Sequence, residues 1–183
     1  PAIDAARVVS AEHESRFMLG NREFLIVHTP GHAYHHFCVV DAHSDGIFTG
    51  DTFGLSYPNL SYNDQRFVIP TTTPTHFNPE ALLKSIDLLM SYEPQRMYLT
   101  HFNKLESPAS VVDQYKDMVN QFVELVQRVE PLDDESIAEL MQQMGELLKR
   151  EFELDDEVIQ GQLANDIRLN SQGLAYWYRK QHG

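Results

Sequence analysis

The sequence predicts an α/β protein in two parts, a strand-bearing region over residues 1–107 and a helical region over residues 108–183. Three observations carry this. Up to Ser107-Pro108, short apolar runs alternate with turn-forming residues; one amphipathic helix lies between two of those runs, as in a βαβ unit; and beyond Pro108 apolar residues recur at helical spacing almost to the end.

Residues 17–19 and 23–28 flank Gly20-Asn21, a turn-forming pair that suggests a hairpin. Residues 37–41 and 46–49 flank the polar turn His43-Ser44-Asp45-Gly46, suggesting a second. Residues 55–77 show little periodicity, and a connection of this length reads either as a lid or site wall or as a surface excursion packed by its own aromatics. Asn78-Pro79-Glu80 then offers an N-cap, a proline at the first helical position and an acidic first turn. The helix that follows carries Leu82, Leu83, Ile86, Leu89 and Met90 on one face and is stopped by Pro94. Residues 96–100 form a short strand leading into His101.

In the second part, Val111, Tyr115, Met118, Val119, Phe122, Val126 and Val129 lie on one stripe, closed by Pro131. Asp134 is placed to cap the next helix, with Ile137, Leu140, Met144, Leu147 and Leu148 inward. A last helical region from about residue 155 to 181, broken near 170–173, presents Leu174, Trp177 and Tyr178 as a docking face.

Composition narrows the function classes. The formal charge is −13, and residues 130–157 hold eleven acidic residues against Lys149 and Arg150, a net of −9. That balance repels phosphate backbones and argues against nucleic-acid binding by this part. No apolar run approaches the roughly 20 residues that span a bilayer, and no signal-peptide pattern is visible, so no membrane role and a cytoplasmic location are expected. Cys38 is the one cysteine, and its place in Phe37-Cys38-Val39-Val40 reads as a buried core thiol.

Three short signatures carry chemistry. A strand runs into His28-Thr29-Pro30-Gly31-His32, another into Gly50-Asp51-Thr52, and a third into Thr100-His101. Each puts a metal-capable residue just past a strand end, where a sheet holds a ligand at its rim. Two imidazoles and a carboxylate suit zinc at roughly 2.0–2.2 Å, with iron or manganese as alternatives.

Taken in order, these signatures resemble the third, fourth and fifth motifs of the metallo-β-lactamase superfamily: Thr29-Pro30-Gly31-His32, Gly50-Asp51 and His101. The likeness covers about residues 17–105. It implies the C-terminal half of an αββα sandwich, followed here by a helical extension. It also implies a dinuclear metal centre, of two zinc ions in the complete protein, in which His32 binds the first ion, Asp51 bridges both and His101 binds the second. His36 lies where glyoxalase II-like members often carry a histidine and reads as a supporting residue. His28 reads as a hydrogen-bonding residue, and His76 as a residue outside any motif, with reach into the site from the long loop as the alternative. The threonine run 71–74 and the helical tail resemble a bacterial subgroup.

The departure is the first motif, His-x-His-x-Asp-His, which these residues lack. The chain is therefore expected to be an incomplete piece, whose uncovered sheet face would pair with the missing N-terminal half or with another copy. The implied activity is hydrolysis of a small ester, thioester, lactone or lactam by metal-bound hydroxide. The alternatives are an iron-dependent persulfide dioxygenase-like oxidoreductase, a superfamily nuclease (disfavoured by the acidic tail), and a non-catalytic binding module using this half-fold.

Overall fold

The computed structural model describes residues 3–62, 65–72, 76–130 and 133–182. Pro131, expected to close a helix, and Thr73 and Pro74 of the threonine run lie outside the described residues. Six strands form one sheet in sequential order: β1 (Arg16–Leu19), β2 (Arg22–His28), β3 (Phe37–Asp41), β4 (Gly46–Leu55), β5 (Arg96–His101) and β6 (Lys104–Glu106). Neighbours are antiparallel except β4 and β5, which run parallel. A parallel pair needs a crossover, and α1 (Pro79–Met90) supplies it. Asn78 caps α1 by accepting the Ala81 N–H at 3.0 Å, with Pro79 at the first helical position as the sequence indicates.

The β4 strand is longer than its apolar run suggests. Its pairing with β5 shifts register after Phe48 and again after Gly50, so the Gly50-Asp51 pair lies inside a bulged strand rather than beyond a strand end. A bulge bends the strand and re-aims the side chains that follow it. Edge strand β6 was not foreseen; three residues with one inward leucine make too short a pattern to read.

Four further helices follow: α2 (Val112–Val129), α3 (Asp134–Phe152), α4 (Asp156–Gln160) and α5 (Ala164–His182). Asp133, one residue before the expected cap, closes a capping box with Ser136 at the start of α3. The break in the last helical region falls at Gly161, and α5 runs unbroken through residues 170–173. The reason is packing: Asn170, Ser171 and Gly173 are all buried, and Asn170 finds hydrogen-bond partners in Thr72.

One hydrophobic cluster joins both regions. Val27, Cys38, Ile47, Met97 and Leu99 on the sheet meet Ile86 of α1, Phe122 of α2, Leu148 of α3 and Leu174 of α5. The opposite sheet face is covered unevenly: Phe24 and Ile26 are buried there, while several other aromatics are open. Cross-strand pairing puts Phe17, Phe24, Ile26, Val39, Phe48 and Tyr98 on it, with Phe17 stacked on Phe24 and Phe48 on Tyr98. Phe37, Phe48 and Phe17 there are 53%, 44% and 43% exposed, a large apolar area to leave in water. Among the described residues, no helix is long and apolar enough to cross a membrane.

Candidate metal centre

Three elements converge on Asp51. The turn after β2 brings His32, the bulge in β4 brings Asp51, and the last residue of β5 is His101. His101 Nε2 lies 2.9 Å from Asp51 Oδ1, and His32 Nε2 lies 3.9 Å from Asp51 Oδ2. The two histidines therefore face different oxygens of one carboxylate.

Each is set by local constraints. Gly31, with φ +136°, passes so close to α1 that a Cβ there would fall 2.3 Å from the Leu82 backbone. Asn78 N–H to Gly31 O (2.7 Å) and Ser85 Oγ to Pro30 O (2.6 Å) tie the turn to that helix. His32 Nδ1 stands 3.1 Å from the Thr71 carbonyl, which only accepts, so the proton belongs on Nδ1 and the Nε2 lone pair is open toward Asp51. Thr71 Oγ1 also donates to the Asp51 carbonyl at 3.1 Å. Burial, more than any other influence, lowers the His32 pKa, which keeps the ring in its neutral, lone-pair-bearing form.

His36 is committed differently. Its Nε2 accepts the Asp51 N–H at 3.1 Å, while Nδ1 lies 3.0 Å from both Thr29 Oγ1 and Thr52 Oγ1. Both ring nitrogens are thus engaged, and burial followed by the nearby His32 lowers its pKa to about 4. The neutral ring buttresses the bulge: a Cβ on Gly50 would lie 2.5 Å from His36 Nε2. His28 Nε2–H donates to the Tyr34 carbonyl at 2.7 Å, and His76 stacks on Tyr34. Cys38 is fully buried, its pKa raised to about 11 by burial, as a core thiol should be.

At the other side, Phe102 takes the left-handed φ +79° directly after His101 and stacks on Tyr57, with ring centroids 5.0 Å apart. Tyr57 Oη donates to Asp166 of α5 at 2.9 Å, and Ser56 N–H donates to the His101 carbonyl at 3.3 Å. The segment 67–72 is buried against the core rather than lifted away as a lid, and Thr71 and Thr72 face the site and α5.

A carboxylate and two outward imidazole nitrogens suit a zinc-like cation in kind and orientation. They fall short in number: among the described residues, no group of three or more His, Cys, Asp or Glu is arranged to hold a metal ion. Around the Asp51 carboxylate, His101 stands on the Oδ1 side, while His32 Nε2 and His36 Nε2 each lie 3.9 Å from Oδ2.

The class of protein so defined is α/β: a helix-backed sheet with an imidazole–carboxylate cluster on one rim. The family model of the metallo-beta-lactamase superfamily matches residues 1–101, more than half of the sequence, and the chain belongs to that superfamily. The superfamily includes hydrolases such as metallo-beta-lactamases, and its members typically bind divalent metals such as zinc. A metallo-beta-lactamase fold-containing protein of Sulfurisphaera tokodaii is 29% identical over 119 residues, which are 65% of this chain and 41% of the relative. Among solved structures, an archaeal superfamily protein from Sulfolobus tokodaii matches at TM-score 0.53 and 21% identity, over 94% of this chain and 53% of the other. A beta-lactamase domain protein from Burkholderia ambifaria matches at TM-score 0.56 and 16% identity, over 97% and 47%. At these identities the structural likeness is one of fold. The chain spans about half the length of these relatives.

Proposed function

We propose that this chain carries the bridging half of a dinuclear metal centre in a hydrolase of small esters, thioesters, lactones or lactams. In this reading Asp51 is shared between two divalent cations, zinc foremost, with His32 on one and His101 on the other. The observation that supports it best is the division of the Asp51 carboxylate, one oxygen toward each histidine. His32, Asp51 and His101 would hold a divalent cation, which would supply Lewis-acid polarisation of a carbonyl oxygen and a water acidified to a pKa of about 7. The chain's own residues prepare that chemistry: the Thr71 carbonyl sets the His32 tautomer, His36 holds the Asp51 peptide, and the Phe102 corner orients His101.

Three donors leave each ion short of the usual four ligands. The reading therefore needs further donors from the rest of a longer protein, and the apolar outer face of the sheet is the surface on which that part would pack. In the full-length protein, elemental analysis should find about two zinc ions per chain, and turnover of an ester, thioester, lactone and lactam panel should vanish with chelation. Absence of both bound metal and turnover would sink the proposal; stoichiometric iron with oxygen consumption would transfer it to the dioxygenase alternative.

Residues 1–183 expressed alone should bind zinc weakly and self-associate through the face of Phe17, Phe37 and Phe48. Sedimentation and zinc titration check this. A monomer holding two zinc ions tightly, with hydrolytic turnover, would show that no further donors are needed.

A further inference from the structure

The α5 helix lies outside the residues that the family model matches, yet it reaches the site. Its inward stripe runs Ile167, Asn170, Ser171, Leu174, all buried and continuing from Leu163 just before the helix, so two polar residues occupy positions where an apolar helix face would carry leucine. A buried side-chain amide must find partners, and Asn170 finds them in Thr72. Asn170 Oδ1 accepts the Thr72 N–H at 2.7 Å and the Thr72 hydroxyl at 3.0 Å, and the same hydroxyl lies 2.8 Å from the Asn170 carbonyl. The next residue back, Thr71, accepts from His32 Nδ1 through its carbonyl and donates to the Asp51 carbonyl through its hydroxyl, whose oxygen also faces Nδ1, each at 3.1 Å. A continuous run of hydrogen bonds thus joins α5 to two of the three proposed ligands.

We propose that Asn170 is a positioning residue for His32: by clamping Thr72 it holds the Thr71 carbonyl where it selects the Nδ1–H tautomer and presents Nε2 to the cation. The helical region is then a working part of the centre, not an appendage to it. Outer partners that orient a ligating histidine change metal affinity by about 10–100-fold when lost. The metal half of this inference rests on His32 being a ligand; the tautomer half does not.

The experiment uses the full-length protein, with zinc as the probe. In the metal-free state, ring ¹⁵N shifts of His32 should report a dominant Nδ1–H tautomer in wild type and a mixed population in Asn170→Ala. Zinc affinity, measured by chelator competition, should weaken about 10–100-fold in that variant. Thr72→Ser retains both donors and should behave as wild type; Thr72→Val, which loses only the hydroxyl and disturbs folding less, should shift both readouts in the Asn170→Ala direction. Leu174→Ala, a cavity in the same helix, should lower thermal stability without moving the tautomer. Unchanged tautomer and affinity in Asn170→Ala and Thr72→Val, or an equal tautomer shift in Leu174→Ala, would overturn the proposal. Unchanged zinc binding in His32→Ala would instead overturn the ligand reading of the preceding section, while a tautomer shift in Asn170→Ala would still uphold the positioning link.

Discussion

Asp51→Ala should remove at least one zinc ion from the full-length protein and lower turnover by at least about 10²-fold, the upper end of what losing a mere supporting partner costs. The carboxylate faces both His32 and His101, at 3.9 Å and 2.9 Å, so in the proposed centre its removal would take a donor from both ions. Its peptide N–H to His36 and its carbonyl to Thr71 survive the substitution, which isolates the carboxylate from the shape of the bulge. His36→Ala makes the complementary comparison. It removes the acceptor of the Asp51 N–H but no proposed ligand, so it should lower zinc content and turnover less than Asp51→Ala. Elemental analysis and steady-state kinetics on the two variants decide the matter. Full zinc content and unchanged turnover in Asp51→Ala would end the bridging assignment; equal losses in both would mean that the wrong histidine has been read as a support.

Gly31→Ala should destabilise the fold by about 2–6 kcal/mol, from roughly 1–3 for a strained backbone and roughly 1–3 for overpacking. At φ +136° the residue sits where side chains are strained whatever the space, and its Cβ would meet the Leu82 N and Cα at 2.3 Å. Those atoms belong to the first turns of α1, whose backbone cannot step aside as a side chain would. Relief would have to come from the turn itself, lengthening the Asn78–Gly31 and Ser85–Pro30 bonds and carrying His32 away from Asp51. Against a total stability of about 5–15 kcal/mol, the variant should melt far earlier and bind zinc more weakly. Denaturant unfolding midpoints at unchanged slope measure the first effect. A loss under about 0.5 kcal/mol, within the range of ordinary surface substitutions, would show that the turn and α1 separate freely.

Much of this was legible along the chain because it is local. The Gly20-Asn21 hairpin, the Asn78-Pro79 start of α1 and the apolar stripe of α2 are short-range patterns, and all three stand in the structure. The extension of β4 through Gly50 and Asp51 was not, since a bulge is a relation between two strands and β5 lies some fifty residues away. Asn170 was misread as part of a helix break. The signal was present all the same: a polar pair, Asn170-Ser171, on the stripe set by Leu163, Ile167 and Leu174 implies buried partners, without saying which.

The sequence by itself determined the α/β class and the family, and singled out His32, Asp51 and His101 as candidates, because motif order and turn chemistry are written in consecutive residues. Only the tertiary structure decided how the set is arranged and what holds it. That His32 and His101 face opposite oxygens of Asp51, that His36 spends both ring nitrogens on Thr29, Thr52 and the Asp51 peptide, and that α5 reaches back through Thr72, all depend on contacts between distant segments. Hydrogen-bond geometry at about 3 Å tolerates little error, and no one-dimensional pattern specifies a separation between residues 72 and 170.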